Sequence, residues 1–451
     1  MSTIPPGDAP PVESVKQLVD YFRAACKPRS EWLLGTEHEL IGVSVAEADF
    51  GDAVPYEGPR GIRALLGRLE RRGWAPIFEG NNPIAMARHE AQVTLEPGGQ
   101  LELSSRPVRC TDELRDDHND FLSDVFDASE NLQLAWLCVG FRPFQRIEDV
   151  PWVPKGRYRV MRDYLPTRGR LAPEMMKRTA TVQLNVDYSN ADDARTKLRA
   201  SMAVTSLVTA IYANSPIVDE KPSGYQCYRA RVWEETDPDR CGLLPFVFED
   251  GDVFEAYTQW AVDVPMFFVY RDGYVPAGGM TFRQFVTDGF QHWQANLEDW
   301  VLHLSTLFPD ARMKAYIEVR ACDAGSDPMV LALGPLCRGF LYDDDARREA
   351  AALTASLSFD QRVELQRAVA VDALRARVPG TTQTVGELAR ELVTIAEAGL
   401  WRQEPSELPY LDPVREIVDT GRTQADAMLE LWERTGGDRS AVIAEVVHRL
   451  P

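Results

Sequence analysis

VTLEPGGQLELSS, residues 93–105, is the stretch whose reading decides the architecture of this chain. Pro97, Gly98 and Gly99 form a tight turn, and strand-like alternation of polar and apolar residues runs away on both sides of it. Side chains along a strand point alternately to opposite faces. Gln100, Glu102 and Ser104 therefore share one face, and Leu101 and Leu103 the other. GTEHE at 35–39 follows the same rule, with Glu37 and Glu39 on one face. Neither stretch contains a lysine or arginine to neutralise its carboxylates. Like charges that close repel, so such a face is either solvated or occupied by a cation.

Two further strands extend the pattern. In TATVQLNVDYS (179–189), Thr181, Gln183, Asn185 and Asp187 oppose Val182, Leu184, Val186 and Tyr188. In KAYIEVRA (314–321), Lys314, Tyr316, Glu318 and Arg320 oppose Ala315, Ile317, Val319 and Ala321. If the strands share a sheet, one face collects Glu37, Glu39, Glu102, Gln183, Asn185, Glu318 and Arg320, with Glu96 just before the turn. A hard divalent cation with oxygen ligands suits such a face. Four unrelated strands with wet outer faces would produce the same alternation.

Clean alternation, rather than continuous Val/Ile runs, favours an antiparallel sheet with one covered face. This predicts an α+β body over residues 13–345, preceded by a disordered Pro-rich tail at 1–12. From Asp343 onward, segments such as TVGELARELVTIAEAGL carry apolar residues at helical spacing. A helical C-terminal portion, 346–451, is therefore expected to pack on the body. The most apolar stretch, Met202 to Ala213, is short and dotted with Thr and Ser, so it reads as a buried helix rather than a membrane span.

Composition excludes several classes. A formal net charge of −20 over 451 residues disfavours attraction to nucleic acid or an anionic membrane. Seven cysteines without a CxxC, and six histidines without an HExxH, argue against structural zinc and zinc hydrolysis. The odd, sparse cysteines fit free thiols in a reducing cytosol, and a cytoplasmic protein is expected. GxSxG, GxxxxGK[ST] and GxGxxG are all absent, so a nucleotide would be held by metal and arginines rather than by a P-loop or Rossmann turn. Between residues 155 and 178, eight basic residues stand against two acidic ones. Beside a carboxylate–metal site this segment suits a phosphorylated or carboxylated ligand; a basic loop pairing with the acidic surface explains it equally.

At these residues the chain resembles a known family. GTEHE, TLEPGGQLELS, PKGRYRVMRDYLP, MMKRTATVQLNVDYS, ANSPI, RVWEETDPDRCGLLPFVF, DVPMFFVYR, GGMTFRQF and YIEVRACDAG look like successive motifs of the plant-type glutamate–cysteine ligases, in family order. The resemblance implies a glutamine-synthetase-like fold whose curved antiparallel sheet floors the active site. It implies ATP- and Mg²⁺-dependent joining of the L-glutamate γ-carboxylate to the L-cysteine amine, the first step of glutathione synthesis. It also implies roles for individual residues. Glu37, Glu39, Glu96, Glu102 and Glu318 would ligate Mg²⁺, and Lys155 and Arg157 would meet the nucleotide. Arg178 and Arg320 would act at the transferring phosphoryl group, and Gln183, Asn185, Arg231 and Trp233 would contact substrate. Plant members carry a cysteine just before GMTF; Ala277 stands there in YVPAGGMTF, so their oxidation switch is expected to be missing. A ligase of the same fold acting on another amine, and an inactive metabolite-binding homologue, fit the same motifs. No heptad or interface stripe stands out, and a monomer is expected.

Overall fold

The computed structural model describes residues 9–449. Nine strands form one sheet: β1 (Leu34–Ser44), β2 (Ala75–Glu79), β3 (Asn82–Arg88), β4 (Ala91–Leu95), β5 (Leu101–Ser104), β6 (Leu134–Leu137), β7 (Thr181–Val186), β8 (Ala311–Met313) and β9 (Ile317–Asp323). Their order is β8-β9-β7-β1-β5-β4-β3-β2, with β6 pairing the far end of β1, and every pairing is antiparallel. The four strands anticipated from alternation are thus consecutive neighbours at the centre: β9, β7, β1 and β5.

The covered face carries the predicted apolar set. Val182, Leu184 and Val186 of β7, Ile317 and Val319 of β9 and Leu34 of β1 are buried in one cluster. Leu333, Leu336 and Phe340 of the helix Asp327–Leu341 and Leu392, Ala396 and Leu400 of the helix Val385–Gln403 belong to the same cluster. These two helices touch backbone to backbone. A Cβ on Gly399 would lie 2.0 Å from the Gly339 carbonyl oxygen, and one on Gly339 2.2 Å from that of Ala396. Only glycine permits that approach. The final described residues return to the sheet: Val447 bridges Leu137, and His448 N–H donates to Trp136 O at 2.8 Å.

Two local expectations need correction. Ala321 was placed on the apolar face of its strand, but the β9–β7 register shifts between Val319 and Cys322. A bulge inserts a residue and slips the alternation, so Cys322 enters the core instead. Of the tail expected at 1–12, residues 1–8 lie outside the described residues, and Val12 is already buried with Pro11 bridging Asn296.

One buried histidine makes stability pH-dependent. His303 stacks on Phe282, and its Nε2 is 2.8 Å from Ala261 O. Burial is the main reason its pKa falls to about 3. The unfolded chain takes up this proton near pH 6.5 while the native state refuses it, so stability is lost as pH falls. Between pH 6.5 and 4.5 this residue contributes a loss of about 2 kcal/mol. Urea unfolding of His303→Gln should show a correspondingly shallower decline than the parent; equal slopes would contradict the assignment.

Candidate active site

The polar face of the central strands is a carboxylate floor, and the ladder register builds it. Glu39 sits directly opposite Glu102, and Glu37 lies opposite Ser104 on one side and Gln183 on the other. Thr94 on β4 is opposite Glu102, and its hydroxyl donates to Glu102 Oε1 at 2.9 Å. Gln183 Nε2 and Asn185 Nδ2 each donate to Glu37 at 3.2 Å. Thr181 N–H donates to Glu39 Oε2 at 3.0 Å.

The Pro97–Gly98–Gly99 turn places Glu96 at the rim. Glu96 N–H donates to Gln100 O, and Gly98 N–H donates to Gln100 Oε1 at 3.0 Å. Gln100 Nε2 in turn donates to Thr179 O at 2.8 Å, which ties the turn to the segment after the helix Ala172–Arg178. Tyr158 bridges from the helix Gly156–Tyr164, donating to Leu95 O at 2.6 Å with Glu96 Oε1 3.3 Å away.

Glu37, Glu39, Glu96 and Glu102 line one cavity of about 110 Å³, together with Gln100, Gln183, Arg157, Arg312, Lys314, Arg320 and Trp233. Charge is divided unevenly within it. Burial, then Glu96 and Glu102, push the Glu39 carboxyl well above the usual range. Burial, then Glu37 and Glu96, push Glu102 up to about 7. Glu318 behaves oppositely. Burial alone would raise it, but Arg312 at 2.6 Å, Lys314 at 3.0 Å and Arg320 at 2.6 Å hold it well below the ordinary range.

Trp233, Phe308 and Arg320 also line a second, adjoining cavity of about 340 Å³. Arg229 and Asp310 reach it. Arg229 is 3% exposed, and among the described residues it makes no ion pair, donating only to Arg320 O at 3.2 Å. Its charge acts at longer range on the buried Asp323 and Asp310 carboxyls, lowering both against their burial, and a bound carboxylate would give it a direct partner.

The structure brings together Glu37, Glu39, Glu96, Glu102, Gln183, Arg157, Arg320 and Trp233 from the residues singled out in the sequence. Five others stand elsewhere. Arg178 is 0% exposed; it pairs with Glu174 at 3.2 Å and Asp219 at 2.8 Å, and covers the Phe141 ring. It braces the fold outside the cavity. Arg231 pairs with Glu234 at 2.6 Å and with Glu235. In the helix Tyr228–Glu234, positions 229 and 233 are one turn apart and share a face, whereas 231 is half a turn away. Arg229 is therefore the arginine the sequence reading missed, and helical spacing from Trp233 would have found it. Asn185 lines a neighbouring pocket behind Glu37. Glu318 does not line the cavity; it pairs with Arg312, Lys314 and Arg320 and holds these three cations together. Lys155 opens on a separate groove with Glu79 and Trp152, and burial, then Arg157, lowers its amine to about 8. The basic run of 155–178 is dispersed: Arg168 contacts Asp237 and Asp239, and Arg170 contacts Glu235. His38, between the two glutamates in sequence, points to the other face, its ring 5.3 Å from His118 and 5.4 Å from His448.

Carboxylate and amide oxygens are the donors a hard divalent cation prefers; burial first, and then neighbouring glutamates, raise the Glu39 and Glu102 carboxyls, and a bound cation would favour their charged forms. Among the described residues, no three acidic, histidine or cysteine side chains converge tightly enough to hold a metal as they stand. Binding would draw the floor carboxylates together, and their donor chemistry fits Mg²⁺.

Comparison with known proteins agrees with this geometry. Residues 33–445 match the family described as Glutamate-cysteine ligase family 2. The chloroplastic glutamate–cysteine ligase of Medicago truncatula is 37% identical over 428 residues, covering 93% of this chain and 83% of the relative. Glutamate–cysteine ligase A, chloroplastic, of Oryza sativa subsp. japonica is 37% identical over 438 residues, 94% and 88% respectively. The crystal structure of a Francisella tularensis glutamate–cysteine ligase in complex with AMP superposes with a TM-score of 0.57 at 15% identity, covering 92% of this chain and 87% of that one. The glutamine-synthetase-like α+β architecture is thereby established. The cytoplasmic placement expected from composition is corrected: the plant relatives are named chloroplastic. Free thiols, and the fact that no described helix is long and apolar enough to cross a membrane, do not distinguish one reducing compartment from another.

The turn is the most sensitive backbone point of the site. A Cβ on Gly98 would sit 2.1 Å from the Lys177 carbonyl oxygen, a backbone contact that no side-chain rotation relieves. Gly98→Ala is predicted to cost about 3 kcal/mol or more in denaturant unfolding and to displace Glu96. Parent-like stability and activity would show that the turn is free to move.

Proposed function

This chain belongs to glutamate–cysteine ligase family 2, the enzymes of the first step of glutathione synthesis, and we propose that it joins the γ-carboxylate of L-glutamate to the amine of L-cysteine using ATP and Mg²⁺. The observation that supports this reading is the pair of adjoining cavities, one floored by carboxylates and the other lined by an arginine and an aspartate that form no direct ion pair among the described residues.

Glu37, Glu39, Glu96 and Glu102 would hold Mg²⁺, which when bound neutralises the polyphosphate and the charge that builds during transfer. Arg157, Lys314 and Arg320 line the same cavity and orient phosphate oxygens. In the adjoining cavity Arg229 receives the α-carboxylate of glutamate and Asp310 its α-ammonium, so the γ-carboxylate is directed toward the floor. An oxygen of that carboxylate attacks the γ-phosphorus of ATP, the bond to the β-phosphate oxygen breaks, and ADP leaves. The cysteine amine then attacks the γ-carbonyl carbon of the acyl phosphate. The tetrahedral adduct expels phosphate and loses a proton, leaving the amide. No side chain is acylated, which suits a site built of positioning groups rather than a nucleophile. Trp233 and Phe308 at the junction keep water from the acyl phosphate.

Phosphate release from ATP with glutamate and Mg²⁺ is expected to be stimulated strongly by L-cysteine, with γ-glutamylcysteine detected by mass spectrometry. Stimulation by 2-aminobutyrate, alanine or glycine but not by cysteine would replace the acceptor. No turnover with any amine would favour an inactive homologue. Glu102→Ala should lower kcat/KM by about 100-fold or more through metal binding; near-normal turnover at ordinary Mg²⁺ removes Glu102 from the site. Arg229→Ala should raise the glutamate KM by about 100-fold, as expected for a lost buried charge-assisted contact. Arg231→Ala should stay within about 2-fold of the parent, since Arg231 lies outside the cavity and its ion pairs with Glu234 and Glu235 lie on a partly exposed face. The reverse ranking would overturn the choice of arginine.

A further inference from the structure

The wall of the second cavity opposite Arg229 comes from the helix Phe359–Asp372, within the helical C-terminal portion whose role the sequence leaves open. Phe359, Val363 and Val369 supply its apolar surface, and Gln366 and Arg367 its polar groups. The helix is held in place at its end. Ala370 O accepts the N–H groups of Gln226 and Cys227, both at 3.0 Å, where the Arg229 helix begins. Arg367 of the same helix also lines the cavity and pairs with Glu234 there.

Gln366 Nε2 donates to Asp310 Oδ2, and the Thr205 hydroxyl donates to the same oxygen at 3.4 Å. Among the described residues, Oδ1 of Asp310 accepts no hydrogen bond, and Asp310 makes no ion pair. This contrasts with Glu318, ringed by Arg312, Lys314 and Arg320. A carboxylate already paired with cations has little attraction left for another. At Asp310 burial raises the carboxyl, Gln366 and Thr205 and then the more distant Arg229 and Arg320 pull it back, and the two neutral donors set its orientation. Arg229 in the same cavity is the complementary case, a buried guanidinium with no direct ion pair among the described residues, its charge felt by Asp310 and Asp323 at longer range.

Resting on the function proposed above, we infer that Gln366 is a positioning residue for the amino-acid substrate: it holds Oδ2 of Asp310 so that this carboxylate faces the α-ammonium group of L-glutamate. The C-terminal helical portion then takes part in substrate recognition.

Steady-state kinetics of the full-length protein, varying glutamate, cysteine and ATP in turn, test this. Gln366→Leu keeps the side-chain volume and removes the donor. It is expected to raise the glutamate KM about 10-fold with kcat within about 2-fold, and to leave the cysteine and ATP KM values unchanged, the scale of one hydrogen bond to a charged group. Thr205→Val, which removes the longer contact from a different helix, should move the same constant in the same direction by a smaller factor and serves if the first variant misfolds. Gln366→Asn, which retains an amide, should recover part of the loss. Glu364→Gln, exposed on the same helix and outside the cavity, should match the parent in all constants. An unchanged glutamate KM in both Gln366→Leu and Thr205→Val overturns the inference, as does a rise in the cysteine KM alone or a fall in kcat alone. Failure of the proposed function is separate, because the parent protein would then show no cysteine-dependent phosphate release.

Discussion

Glu39 and Glu102 face each other across the β1–β5 ladder, and the rest of the site is arranged to tolerate that opposition. Carboxylates directly opposite in a sheet repel, and burial removes the water that would screen them. Thr94, Thr181, Gln183 and Asn185 each direct a donor at a floor carboxylate. Even so, Glu39 and Glu102 are held above their ordinary range. The fold thus keeps a concentrated negative charge that its own residues only partly offset. A bound cation would offset the remainder.

The cationic groups are close by yet kept apart from these acids. Glu318 gathers Arg312, Lys314 and Arg320 at one side of the cavity, so its own charge is consumed in placing theirs. Gln183 links the two regions, donating to Glu37 and receiving from Arg320. Acidic and basic groups therefore line one cavity without collapsing into mutual ion pairs. Such a division suits a ligand that brings both metal and phosphate. Beyond Arg320 the adjoining cavity continues the logic, with Arg229 and Asp310 unmatched to each other's charge by any ion pair among the described residues.

Strand periodicity made much of this legible. The alternation in β1, β5, β7 and β9 assigned the polar face correctly, because a period of two leaves only two choices and burial of Val182, Leu184 and Val186 decides between them. It failed at Ala321, where a bulge slips the register without any marker in the local sequence. Residues assigned through a motif fared unevenly. Arg231 lies in the correct segment, but its helix turns it half a revolution from Trp233. Arg178 ends a helix and is spent on Glu174, one turn earlier and legible from i,i+4 spacing, and on Asp219, a tertiary pairing that spacing does not foretell. Asp310 and Gln366 stand 56 residues apart and meet only once the C-terminal helix docks, so sequence gave no sign of them.

The central claim is that the carboxylate floor collects the metal. The most direct measurement is anomalous scattering from crystals grown with Mn²⁺ in place of Mg²⁺, ADP and L-glutamate. Manganese peaks are expected bonded to side-chain oxygens of Glu39, Glu96 and Glu102, with phosphate oxygens completing the coordination. Manganese bound through phosphate alone, or to acidic residues outside this face, would contradict it.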